Sequence, residues 1–405
     1  MRNDLKTYRT AAERDSIRLM TQERKTTTNI TLTNIRKERV GKASLKPHFY
    51  DIENFTLSYA YSRERSSDDE IDHYNKDQHR GSLAYAYSPR DPGLFAPFAS
   101  TRSKLLNNKN MKIIKDFNLY YKPKNVTFST EIFRDYEETL LRNKGAALVI
   151  IRPTYFKQFT WKREYGLQYD LSRSIHLQYN ATANARIDEP VGRIDASGTS
   201  DSIWRSFGHG GTMQNFQQSI NAQWDLPINK LPYLDFLRVP LTYRTTYNFQ
   251  GTTQALASQG SVLNSSTQFQ ATATATMQTL YNRFKFIKNA QARNNNQQQK
   301  KDPKRMTNKE RQQHIQDSIA RAKNPDSVRR AEMMGFLREV GNFGIRFLTG
   351  LKTANASFSI TRGASLPGYM GTATLFGMDP NHGWAPGPGF IFGLTDGAVE
   401  RLRDD

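Results

Sequence analysis

YFKQFTWKREYGLQYDL at 155–171, SRS at 172–174 and IHLQYNATANARI at 175–187 form the stretch whose reading decides the fold. In the first run the odd positions are Tyr155, Lys157, Phe159, Trp161, Arg163, Tyr165, Leu167, Tyr169 and Leu171, and after Phe156 the even ones are polar or glycine. In the second, Ile175, Leu177, Tyr179, Ala181, Ala183, Ala185 and Ile187 alternate with His176, Gln178, Asn180, Thr182, Asn184 and Arg186. A period of two places one class of side chain on each face of an extended strand. Only three residues separate the runs, which predicts a hairpin.

The same alternation recurs downstream. Phe216, Ile220, Ala222, Trp224 and Leu226 alternate with Gln217, Ser219, Asn221, Gln223 and Asp225. Val239, Leu241, Tyr243, Tyr247 and Phe249 alternate with Thr242, Arg244, Thr246 and Asn248. Phe269, Ala271, Ala273, Ala275 and Met277 alternate with Gln268, Gln270, Thr272, Thr274 and Thr276. Shorter runs at 30–35, 55–61, 83–87, 113–121, 126–132, 343–351 and 356–360 bring the expectation to about a dozen strands.

Composition narrows the class. The 405 residues contain no cysteine, which removes disulfides and thiolate metal sites. Mean hydropathy is −0.72, and the longest apolar run spans only 145–151, too short for a membrane-crossing helix. Outer-membrane strands pass that filter, because only alternate residues face lipid. A soluble sandwich also alternates, but its wet face usually carries many Lys and Glu. Here the wet face is Gln, Asn, Thr and Ser, and the other mixes alanines with rings. The expected fold is therefore all-β: an antiparallel transmembrane β-barrel wall, part of a larger barrel, with a polar, partly helical insert. Its lumen face is expected to carry Gln217, Ser219, Asn221, Gln223, Thr242, Thr246, Gln268, Gln270, Thr272 and Thr274.

The division expected along the chain is a polar helical lead-in at 1–25, barrel strands at 26–281, a basic insert at 282–340, further strands at 341–362 and a Gly/Pro-rich irregular segment at 363–405. Long polar loops are expected at 89–112, 134–154, 188–212 and 250–265, and short links at 122–125, 172–174 and 227–238. Short links face the periplasm in such barrels, and strand parity puts the insert on that side too. The irregular tail is expected to fold back inside or beside the lumen, where protein or water satisfies its backbone. Both termini read as cut: the opening residues lack the apolar core of a secretory signal, and RLRDD lacks a closing amphipathic strand.

The formal charge of +20 raises nucleic acid as a partner. Residues 282–340 hold 15 Lys and Arg against 6 Asp and Glu, so nearly half the excess sits in one polar insert. No stacking-plus-basic motif accompanies it, and no nucleic-acid partner is expected. The seven histidines show no zinc spacing. The cluster Asp68, Asp69, Glu70, Asp72 and His73 offers oxygen ligands but lacks an EF-hand pattern, and a charged hairpin tip is the simpler reading. Gly208-His209-Gly210-Gly211 lacks a nucleophile elbow and reads as a flexible loop. No catalytic residue, metal or cofactor is expected.

Several segments go beyond a generic barrel. KPHFYDIENFTLSYAYSRE at 46–64, RGSLAYAYSP at 80–89 and MKIIKDFNLYYKPKNVTFST at 111–130 are followed by LPINKLPYLDFLRVPLTYRTTYNF at 226–249 and NSSTQFQATATATMQTLYNRFKF at 264–286. ASLPGYMGTATLFGMDPNHGWAPGPGFIFG at 364–393 completes the series. In this order, across most of 30–395, they resemble an internal or C-terminal part of the SprA/Sov family. The resemblance implies a very large single-chain outer-membrane barrel, the translocon of type IX secretion, that passes folded cargo to the cell surface and supports gliding motility. It further implies an outer-membrane barrel partner at a lateral opening and a plug protein. The competing expectations are a porin or TonB-type receptor and a secreted β-rich adhesin.

Overall fold

A computed structural model describes residues 10–38, 47–99, 111–143, 150–193, 199–231, 233–284, 312, 350–374 and 376–394. The strands are β1 (Arg24–Ile35), β2 (Phe55–Ser67), β3 (Ile71–Tyr87), β4 (Leu94–Phe95), β5 (Leu119–Tyr120), β6 (Asn125–Leu141), β7 (Thr154–Asp170), β8 (Ile175–Arg186), β9 (Thr212–Leu226), β10 (Leu237–Gln250), β11 (Ser261–Thr276) and β12 (Thr353–Tyr369). Ten of them form one antiparallel sheet in the order β1-β2-β3-β6-β7-β8-β9-β10-β11-β12, and β4 pairs with β5 apart from it. The sheet is a meander and is not closed: β1 and β12 are its edges among the described residues. No described helix is long and apolar enough to cross a membrane.

The 155–187 stretch folds as the hairpin its alternation predicts, with Leu167 opposite Tyr179 and Gln168 opposite Gln178. Elsewhere the strands outrun their sequence signal. β6 continues to Leu141 through residues expected to be loop. Both of its faces turn polar there, so the period of two disappears, and cross-strand pairing holds the ladder instead. Lys76 Nζ lies 2.5 Å from Glu137 Oε1, Gln78 donates to Asp135 at 3.1 Å, and Arg134 makes a two-pronged contact with Glu189 at 2.6 and 3.1 Å.

Three further expectations are corrected. The run at 113–121 is not a full strand but a single helical turn (Lys112–Lys115) followed by two-residue β5. Residues 88–124 are therefore one connection, at the same sheet end as the links 171–174 and 227–236, and the loop at 89–112 does not lie opposite them. β12 runs on to Tyr369, so the irregular tail begins there rather than at 363. The lead-in contains a helix, Ala11–Thr21, capped by reciprocal bonds between Thr10 and Glu13, and β1 starts at Arg24. The run at 343–349 and the insert, apart from 282–284 and 312, lie outside the described residues.

The packed core is formed where the chain after β12 returns over the sheet. Phe390 and Ile391, in the short helix Pro388–Phe392, bury against Ala181, Ala183, Phe216, Tyr247, Phe249 and Leu263 of β8 to β11. Full burial of each such side chain is worth roughly 1.5–3 kcal/mol.

Candidate functional site: a wall with two unlike faces

Residues directly opposite in an antiparallel ladder share a face, so the register assigns every strand residue to one side. Thr242 stands opposite Gln223 and Gln270, Thr246 opposite Ser219, Asn248 opposite Gln217 and Arg244 opposite both Asn221 and Gln268. Thr274 faces Arg238, and Thr272 lies between Gln270 and Thr274 in alternation. All ten residues expected on the lumen side thus share one face of β9, β10 and β11. None is buried: Gln217 and Gln270 are exposed and the other eight are half-buried.

The face extends beyond those ten. Gln178, Asn180 and Thr182 of β8 stand opposite Asn221, Ser219 and Gln217, and Ser357, Ser359 and Thr361 of β12 opposite Thr272, Gln270 and Gln268. On β3, β6 and β7 it becomes charged, with Lys76 beside Glu137 and Arg80 3.4 Å from Glu131. At the sheet end carrying 171–174 and 227–236, the 111–121 connection covers this face. Asp116 pairs with Lys230 at 3.0 Å, and Asn118 accepts from the Arg173 N–H at 2.8 Å. Beneath it lies a cavity of ≈ 920 Å³ lined by Phe117, Leu171, Lys230 and Arg238, with Gln223 and Thr274 of the ten on its wall.

The opposite face carries the rings and alanines in a continuous band. Upward from the link end it reads Tyr85 and Leu83 on β3, Val126, Phe128, Thr130 and Ile132 on β6, and Leu167 and Tyr165 on β7. It continues through Trp224, Ala222 and Ile220 on β9, Val239, Leu241 and Tyr243 on β10, Ala273, Ala271 and Phe269 on β11 and Ala356, Phe358 and Ile360 on β12. Much of it is open to solvent: Leu57 is 46% exposed, Trp224 46% and Phe358 57%. A contiguous apolar surface of this size is unusual on a soluble protein.

The upper edge of the band crosses the strands obliquely. It is marked by His79, Arg134, Arg163, Gln218, Thr245, Thr267 and Arg362 on β3, β6, β7, β9, β10, β11 and β12. Arg362 is level in register with Thr267, Thr245, Ile220, Tyr179, Leu167, Val126 and Tyr87. On β3 the edge, His79, stands eight residues, four steps of alternation, above that level. The edge is level on β10 to β12 and stands two residues higher on β9, four on β7 and eight on β6 and β3. Averaged from β12 to β3 this is about one residue per strand, which at ~3.3 Å rise and ~4.8 Å strand spacing gives a slope of about 35°.

Above the band the two halves of the sheet differ. On β2 and β3 the surface is charged: Asp77 accepts from Arg63 at 2.9 Å, Arg65 at 2.8 Å and Tyr61 at 3.0 Å. On β8 to β11 it is apolar, and residues 370–394 cover it. The tail thus packs on the face opposite the ten amide and hydroxyl residues and not over them. Close approach fixes its seat. Gly377 has φ +84, and a Cβ there would meet Tyr247 at 2.5 Å. A Cβ on Gly393 would overlap the Thr267 hydroxyl. Asp379, 1% exposed, holds the tail together by accepting from the Thr372 N–H at 2.9 Å and the Asn381 N–H at 2.9 Å, with His382 Nδ1 2.7 Å away. Burial pushes its carboxyl up, and these donors outweigh burial and hold it below the usual carboxylate range.

The remaining sequence candidates resolve into structural roles. Asp68 caps the β2–β3 turn by accepting from the Glu70 and Ile71 N–H groups at 2.8 and 2.6 Å, and Asp72 pairs with Arg142 at 3.1 Å. His176, on the amide face, lies 2.7 Å from Asp170. Gly208 ends a helix, Thr199–Gly208, rather than lying in a loop, and Gly210 and Gly211 take positive φ in the turn after it. Phe207 of that helix stacks on Trp161 at 4.4 Å. No group of metal-ligating side chains occurs among the described residues. The charged surface around Asp77 was missed from sequence. Its residues lie on two strands, and only the register brings them together.

Compared with models of known families and with curated proteins, the chain finds no match.

Proposed function

We propose that this sheet is a stretch of transmembrane β-barrel wall in a Gram-negative outer membrane, and that the barrel conducts folded proteins to the cell surface. The observation that carries the membrane reading is the exposed apolar band. It occupies one face only, and its average slope of about 35° lies at the lower end of the ~35–45° strand tilt of such barrels. The other face offers amides and hydroxyls over many strands, which suits a water-filled lumen. Strands of 17 residues, such as β3, β6, β7 and β12, reach about 55 Å. That exceeds what a ~25 Å apolar layer requires at this tilt, so their upper halves stand clear of the membrane, where charge and a covering tail replace lipid.

Conduction of folded cargo rests on the resemblance of six ordered segments to the SprA/Sov family and on the open sheet, whose free edges fit a larger barrel completed by further strands. On this reading the partners are outer-membrane lipid, cargo proteins, a second barrel at a lateral opening and a plug protein. A lumen of Gln, Asn, Thr and Ser binds cargo weakly, so cargo leaves as readily as it enters.

The test places photo-crosslinkers in cells that express the chain and export cargo. Probes at Gln270 and Thr272 are expected to capture cargo, and probes at Ala271 and Ala273 to capture lipid. Cargo captured from the alanine positions and not from Gln270 or Thr272 overturns the reading.

A further inference from the structure

At the upper rim of the apolar band, β2, β3 and β6 present an amphipathic surface with a gap at one glycine. One register row contains Tyr59, Gly81 and Ile132. Gly81 has no side chain, and a Cβ built there meets nothing within 4 Å, so the row has an open notch between two apolar walls. The rows directly above contain Tyr61, His79 and Arg134, then Arg63, Asp77 and Tyr136. Cations and anions both occur there, but they are not equally presented. The Arg63 and Arg65 side chains are 50% and 35% exposed, against 17% for the Asp77 that joins them. Arg134 is 21% exposed, against 4% for its partner Glu189. Each carboxylate is shared: Asp77 between Arg63 and Arg65, Glu189 between Arg134 and Lys157. Each group keeps a net positive charge, and the guanidiniums are its outward part.

An apolar notch beneath half-exposed guanidiniums fits a ligand with an acyl chain below and a phosphate above. Bidentate guanidinium–phosphate bonds are among the stronger charge-assisted contacts, and they gain strength beside hydrocarbon, where the dielectric falls. We propose that the notch at Gly81, roofed by Arg63, Arg65 and Arg134, binds one phosphorylated, acylated membrane lipid. The inference rests on the membrane-wall reading.

The test uses the whole chain in maltoside detergent and counts retained lipids by native mass spectrometry. The probes are diphosphorylated lipid A, its dephosphorylated form, phosphatidylethanolamine and inorganic phosphate. One diphosphorylated lipid A is expected to be retained, with the dephosphorylated form about tenfold weaker and inorganic phosphate alone unable to compete. The double variant Arg63→Gln/Arg65→Gln is expected to lose about tenfold in retention, and Gly81→Leu to lose it by filling the notch. Equal retention of phosphorylated and dephosphorylated lipid A overturns the proposal without any variant. Competition by inorganic phosphate reduces the site to a bare anion site and also overturns it. A chain that binds micelles but retains none of the lipids defeats this inference alone. A chain that binds no detergent and stays monodisperse in water defeats the wall reading beneath it.

Discussion

The hydroxyl of Tyr247 donates to the carbonyl of Gly377 at 3.0 Å, joining the middle of the sheet to the segment that follows its last strand. Tyr247 is fully buried and stands in register with Gln218 and Ser265, above the apolar band. The contact sets how closely the tail lies on the wall, because Gly377 allows backbone to approach the ring. Gly377→Ala must accommodate both positive φ and a clash with Tyr247, and is expected to loosen the tail by about 2 kcal/mol or more. Limited proteolysis checks this: cuts within 370–394 accelerate while the strands remain protected. Unchanged cleavage rules out the seat described.

Phe390→Ala removes a ring that is 3% exposed and meets Tyr247 edge-on at 6.2 Å. The expected cost is about 3–5 kcal/mol for docking of the tail. Trp384, half-exposed on the same segment, gives a control: Trp384→Ala should shift docking by about 1 kcal/mol or less. Equal effects in the same proteolysis assay place the core elsewhere.

The Asp379 carboxyl lies below its usual value in the folded chain, so its contribution is fully present above the unfolded-chain value of ~3.9. It is lost as pH falls through the lower folded value. Protection of 370–394 against an acid-stable protease should therefore hold from neutral pH down to about 4 and fail below it. Asp379→Asn should be cut faster at neutral pH, and its difference from the native chain should vanish in acid. A difference that persists at the lowest pH contradicts the assignment.

Opposite faces should answer differently to substitution. Ala273→Lys, on the ring-and-alanine face, is expected to cost about 2–4 kcal/mol of stability in a bilayer, and Thr274→Leu, its neighbour on the amide face, about 0.5 kcal/mol or less. Folding into vesicles followed by urea titration reads both. Equal costs would remove the face assignment.

Glu189, 4% exposed, receives Arg134 by two prongs and has Lys157 within 3.9 Å. Glu189→Gln leaves two partly buried cations without a counter-charge, at an expected cost of about 2–4 kcal/mol. Urea unfolding measures it, and the loss should shrink when Arg134→Met is combined with it. Additive losses would mean that the pair acts independently.

Alternation in the sequence determined that the chain is β, which residues share a strand face and where the 172–174 turn falls, because side-chain period follows from backbone geometry alone. It also grouped the ten amide and hydroxyl positions that the register places on one sheet face. What lay beyond it depends on neighbours. The upper part of β6 is polar on both faces and is held as strand by Lys76, Gln78 and Glu189 from elsewhere in the chain. The slope of the apolar band exists only once ten strands are set in register. The tail chose the ring face over the amide face because Tyr247, Phe249 and Leu263 together offer it burial, and nothing local to 370–394 encodes where those rings lie. Strand faces follow from short-range sterics, and the tertiary structure decided which distant surfaces meet.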